Sequence, residues 1–100
     1  DPDSTITDPV TGKLKIYPNP VSGSFRISFY NDKATNDISI AVYDMKGVNT
    51  YQRNYGRMPE GNNVLPMTIY ETNLKKGIYI VTLRVSGRLV ESKKLVLINY

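Results

Sequence analysis

From residue 13 onward the carboxylates are Asp32, Asp37, Asp44, Glu60, Glu71 and Glu91, and the chain contains neither His nor Cys. Without imidazole or thiolate it lacks the usual general base, the soft metal ligands and any Ser or Cys triad built on imidazole. A glycosidase needs two carboxylates facing each other across a cleft. Most of these six stand at turn signals or strand ends, where Asp serves backbone hydrogen bonding instead. The residue types therefore point to a protein that is not an enzyme. Residues 31–37, "NDKATND", offer oxygens to a hard cation, but as a plain hairpin loop they need no ion. The expectation is no metal and no cofactor.

Two further sets admit a binding role. Lys75, Lys76, Arg84, Arg88, Lys93 and Lys94 form a basic set of the kind that neutralises phosphates. Arg84, Lys93 and Lys94, however, occupy solvent-side or edge positions of strands, where Lys guards against aggregation, so no nucleic-acid partner is expected. Tyr43, Tyr51, Tyr55 and Tyr70 are the more exposed of eight tyrosines and are candidates for a carbohydrate-stacking platform. Tyr also simply covers sheets, and the chain has no Trp. The C-terminal run Lys93-Lys94-Leu95-Val96-Leu97-Ile98 sets a basic pair against four apolar residues. It reads either as a central strand paired on both sides or as an address displayed for a receptor.

The elements that must position these groups follow a period of two. Residues 1–12, "DPDSTITDPVTG", carry three Asp and no Lys or Arg, and read as a flexible acidic linker. All 13 Lys and Arg come later, against six carboxylates, so residues 13–100 are basic by seven charges although the whole chain carries only +4. Leu14 and Ile16, then Phe25, Ile27 and Phe29, alternate with polar residues as half-buried strands do. Pro18 and Pro20 hold the junction between these two strands extended and non-helical.

"ISIAVYD" (38–44) puts Ile38, Ile40 and Val42 on one face; "DMKG" (44–47) then turns, with Gly47 free to take a positive φ. "VNTYQRNY" (48–55) is a polar strand, and "NVLPMTIY" (63–70) a strand that Pro66 confines to an edge or bulge. "ETNLKKG" (71–77) is a connector from which Leu74 plugs the core. "IYIVTLRVS" (78–86) faces Tyr79, Val81, Leu83 and Val85 inward, and Ser86-Gly87 turns into a long last strand, residues 88–98.

Seven strands at roughly ten- to twelve-residue spacing predict an all-β fold, an Ig-like antiparallel β-sandwich over residues 13–100. One hundred residues suffice for one core. No apolar run approaches a membrane span and no basic-then-apolar start resembles a signal peptide, so if the chain is exported its first export signal is expected upstream.

"IYPNPVSGSFRISF", "ISIAVYDMKG" and "NLKKGIYIVTLRVSGRLVESKKLVLI", in that order, resemble the type A C-terminal sorting domain of proteins exported by the type IX (Por) secretion system. The shared positions are a Pro-Asn-Pro junction (Pro18, Asn19, Pro20), an Asp-x-x-Gly turn (Asp44, Gly47), a Leu-x-x-Gly-x-Tyr step (Leu74, Gly77, Tyr79) and the Lys-plus-apolar terminal strand (Lys93 to Ile98). The resemblance implies a non-catalytic Ig-like domain that follows a cargo in the same chain. It further implies reading by the outer-membrane translocon, with Lys93, Lys94, Leu95, Val96, Leu97 and Ile98 as recognition residues, and removal by a cell-surface sortase. The protein would then pass the periplasm and end at the cell surface or outside. Strand addition is an expected mode of reading, and an apolar final strand can also pair between copies as a homodimer. The alternative is an interaction or carbohydrate-binding sandwich attached to a surface enzyme.

Overall fold

The computed structural model describes residues 12–21 and 23–98. The linker expected over residues 1–12 lies outside them except for Gly12, and so do Asn99 and Tyr100. Among the described residues seven antiparallel strands form two sheets: β1 (Gly12–Tyr17), β2 (Ser24–Asn31), β3 (Asp37–Asp44), β4 (Asn49–Arg57), β5 (Gly61–Thr68), β6 (Gly77–Val85) and β7 (Arg88–Leu97). The three-stranded sheet runs β1-β2-β5 and the four-stranded sheet β4-β3-β6-β7. The all-β sandwich expected from the strand spacing is thus present. The fourth strand pairs with the third, giving a three-plus-four division in place of the four-plus-three of constant Ig domains.

The core lies where the period-two pattern puts it. Phe25, Ile27 and Phe29 from β2 meet Ile38, Ile40 and Val42 from β3 and Tyr79, Val81 and Leu83 from β6, all buried. Each fully buried Phe, Ile or Leu contributes about 1.5–3 kcal/mol of hydrophobic stabilisation. Leu74 is buried in the same cluster, as expected for a plug from the connector. β4 is polar and mostly exposed. Pro66 sits in β5 at the edge of its sheet, where its missing N–H costs no ladder bond.

One boundary differs from expectation. The strand predicted to run through Tyr70 stops at Thr68, opposite Ser24, the first residue of β2; one further bond, from the Ile69 N–H to the Gly23 carbonyl at 3.1 Å, ends the ladder. Ile69–Thr72 instead make one helical turn, α1, closed by the Asn73 N–H donating to the Ile69 carbonyl at 2.8 Å. Asn73 takes the left-handed conformation (φ 55°) that ends such turns. The turn carries the chain from one sheet to the other, and Leu74 follows it into the core.

Candidate functional site

The Pro-Asn-Pro segment leaves β1 and crosses to the other sheet, where it lies along the outer edge of the terminal strand. The peptide bonds before Pro18 and Pro20 are both cis. Asn19 uses both ends of its carboxamide: Nδ2 donates to the Lys94 carbonyl at 2.9 Å and Oδ1 accepts the Val96 N–H at 3.0 Å. Val21 continues in a parallel bridge to Leu97, its N–H donating to the Val96 carbonyl and its carbonyl accepting the Ile98 N–H, each at 2.7 Å. The Val21 side chain is fully buried among the core residues. Residues 18–21 therefore act as a strap that satisfies the edge backbone groups of Lys94, Val96 and Ile98.

The strap governs how the terminal strand is displayed. β7 is the edge strand of its sheet, yet its last residues are paired on both sides, by β6 and by the strap. Strand addition along Lys94–Ile98, one expected mode of reading, meets an edge that the strap already occupies. Among the described residues no strand pairs with the outer edge of the Arg88–Ser92 half of β7. There Glu91 reaches back to β1 through Oε1, which accepts the Leu14 N–H at 3.1 Å. Between Lys15, Ile16 and Tyr17 of β1 and Lys93 and Lys94 of β7 runs a groove of about 340 Å³.

The other motif positions build the same end of the sandwich. Asp44 closes the β3–β4 turn: Oδ1 accepts the N–H of Lys46 and of Val48, each at 2.9 Å, and its carbonyl accepts the Gly47 N–H at 3.0 Å. Gly47 takes φ +86°, a conformation that glycine adopts without a Cβ penalty. The Tyr79 hydroxyl donates to the Lys75 carbonyl at 2.8 Å, four residues upstream, as in the tyrosine corner of Ig-like sandwiches. In the ladder Asp44 lies opposite Tyr79, Tyr79 opposite Leu95, and Gly77 opposite Leu97. Four motifs spread over some eighty residues of sequence thus converge on the C-terminal end of β7.

The terminal run itself splits by side. Leu95 and Leu97 are buried in the core, 0% and 3% exposed. Lys94, Val96 and Ile98 take the opposite side, with Lys94 and Ile98 exposed and Val96 half-buried. On that outer face Val96 pairs with Ile78, which is 42% exposed, and Lys94 pairs with Ile80 beside Tyr43. Lys93 pairs with Val81 and so faces the seam between the sheets, exposed and 3.7 Å from Glu91. Both lysines are exposed, as expected, but on opposite sides of the strand.

The remaining candidates are not brought together. Among the described residues no three carboxylates cluster as metal ligands. In residues 31–37 the oxygens are engaged internally: buried Asn31 donates through Nδ2 to the carbonyls of Met58 and Pro59, and Asn36 donates to Asn31 Oδ1 and Asp32 Oδ1. The segment is not the hairpin loop expected: it crosses from β2 in one sheet to β3 in the other, and Asn31 ties it to the second crossing, between β4 and β5, at Met58 and Pro59. Of the four tyrosines expected to be exposed, only Tyr70 is, at 90%. Tyr51 and Tyr55 pack against the core and Tyr43 lies on the outer face of β3, so no common platform forms; their rings complete the partly open inner face of β4. The basic set is also divided, with Lys75 and Lys76 at the Gly77–Leu97 end and Arg84 and Arg88 at the opposite hairpin. Sequence reasoning missed Glu91, Asn31 and Val21. Only Val21 carried a signal, as a β-branched residue directly after the second proline.

Among solved structures, the crystal structure of dimeric latent PorU from Porphyromonas gingivalis is similar, at TM-score 0.71 and 14% identity over 91% of this chain. The chain spans 9% of the length of that protein, so the likeness is one of fold. No curated protein matches the chain. The family described as the secretion system C-terminal sorting domain matches residues 15–99, which include all four motifs and the strap. By that match, which runs from within β1 to the end of β7, the chain belongs to the C-terminal sorting domains of type IX secretion.

Proposed function

We propose that this domain is a secretion address that performs no chemistry and is read through the solvent side of its terminal strand. Membership of the family implies a sorting signal that directs export to the cell surface or beyond. The finer reading is that the type IX outer-membrane translocon binds the outer row, Lys94, Val96 and Ile98 with Ile78 beside them, and reaches Lys93 from the seam side of the same strand. Leu95 and Leu97 act from below by holding the strand in place. The observation that carries this reading is the split of the terminal run into a buried and an exposed row, at the end of the sandwich where the shared motifs meet. An upstream cargo in the same chain is delivered, and a surface sortase then cuts within or before residues 1–12. A homodimer through edge strands fits the same reading at edges the strap leaves open, Arg88–Ser92 of β7 or β4.

The test is a fusion of residues 1–100 behind a signal peptide and a fluorescent reporter, expressed in a bacterium with type IX secretion and in its translocon-null mutant. Surface or extracellular reporter in the wild type alone is the expected result. Reporter held in the periplasm of both strains would remove the claim that this chain is a sufficient address. A Lys93→Ala/Lys94→Ala/Val96→Ser variant that folds normally is expected to lose most export; export at the wild-type level would move the recognition surface elsewhere.

A further inference from the structure

The strap is short for what it covers. It meets the edge of β7 with one carboxamide and one residue of backbone ladder, and its flanking Pro18 and Pro20 have no N–H to add. Its grip is also specific. A carboxamide bridges Lys94 and Val96, and two residues later a β-branched aliphatic side chain enters the core opposite Leu97. The edge of the terminal strand therefore accepts a recognisable pattern, an extended segment reading carboxamide-x-aliphatic. Among the described residues no strand pairs with the same edge towards Ser92, where β1 touches it only through the Leu14–Glu91 side-chain bond, so a longer segment gains ladder bonds there that the strap does not make.

We propose that the Lys94–Ile98 edge of β7 is a strand-docking track for an extended peptide segment of a partner protein with this Asn-x-Val-like pattern, and that Pro18–Val21 is the intramolecular occupant which that segment displaces. The proposal deepens the sorting reading only in naming what a receptor presents; the docking itself is measured without export. Exchange of this kind requires the strap to detach while the sandwich stays folded. Local opening at lower free energy than global unfolding is the physical form of that requirement. Because the strap is tethered, it competes at an effective concentration on the order of millimolar, so an outside segment binds weakly until the strap is loosened.

Two measurements on the full 100-residue chain decide the matter. The first is native-state hydrogen exchange of the wild type. The amides of Val96 and Ile98 face the strap, whereas those of Leu95 and Leu97 face β6. Val96 and Ile98 are expected to exchange at least about tenfold faster than Leu95 and Leu97, through opening of the strap alone. The second is fluorescence anisotropy with a labelled peptide of the sequence of residues 14–23. It is expected to bind Asn19→Ala and Val21→Ala at least about tenfold more tightly than wild type, once the tethered competitor is weakened. The same peptide with Asn19→Ala in its own sequence is expected to bind less. If all four amides exchange together at the global rate, the strap does not open independently and the proposal fails. If the peptide binds neither variant better than wild type, the edge is no docking track and the strap is only a structural seal.

Discussion

The side-chain oxygen of Asn19 holds the main-chain N–H of Val96 at 3.0 Å, across 77 residues of sequence. With the bond from Asn19 Nδ2 to Lys94, one side chain does the work of a short strand at the edge of β7. The proline on each side restricts where Asn19 can point, which lowers the entropy lost in making both bonds. The Pro-Asn-Pro junction thus joins the start of the domain to its terminal signal strand.

Replacing Asn19 by Ala removes both bonds, each contributing about 0.5–1.5 kcal/mol net. The expected loss is about 1–2 kcal/mol by urea unfolding, with an unchanged m-value because the core is untouched. Asn19→Asp keeps the acceptor for Val96 but sets a carboxylate against the Lys94 carbonyl, so it is expected to be at least as unstable as the Ala variant. Full stability of Asn19→Asp would show that the donor half of the carboxamide contributes nothing.

Leu95→Ala and Lys94→Ala separate packing from reading. Leu95 has no exposed surface, and its truncation leaves a cavity opposite Tyr79 that costs about 2–5 kcal/mol. Lys94 is exposed, and its loss stays within about 0.5 kcal/mol. Thermal unfolding of the two, beside their export in the reporter assay, checks whether export follows stability or follows the exposed side chain.

Tyr79→Phe deletes only the hydroxyl that donates to the Lys75 carbonyl. A loss of about 1 kcal/mol is expected, together with faster amide exchange across residues 73–77, since the hydroxyl pins the connector that carries Leu74 into the core. Unchanged exchange there would leave the tyrosine with packing alone.

Asp44→Ala strips the acceptor from the Lys46 and Val48 amides. By analogy with loss of a helix cap, which likewise frees backbone donors, a cost of about 0.5–2 kcal/mol is expected, and Asp44→Asn, which retains the oxygen, is expected to lose less. Chemical denaturation of the two variants in parallel checks the order.

Strand identity and facing were legible from residue types, because side chains alternate with a period of two and each sheet buries one face. Phe25, Ile27 and Phe29, or Tyr79, Val81 and Leu83, can be assigned inward without knowing their neighbours. The same holds for Gly47 after Asp44 and for Leu74 before Gly77, whose roles are local in sequence. The end of β5 was not legible, since it is set by where the ladder with β2 runs out, at Ser24 and the Gly23 carbonyl, and those partners lie more than forty residues away in sequence. The period of two also separates Lys93, on the side of Leu95 and Leu97, from Lys94 on the other; what it left open was which neighbours each lysine meets, Val81 and Ile80, which depends on the register with β6. The strap lay furthest out of reach. Asn19 is an exposed polar residue between two prolines, and nothing near it in sequence shows that its partners stand at Lys94 and Val96. Such contacts depend on how two sheets close around one core, and that closure is set by pairing among all seven strands together, not by any one segment.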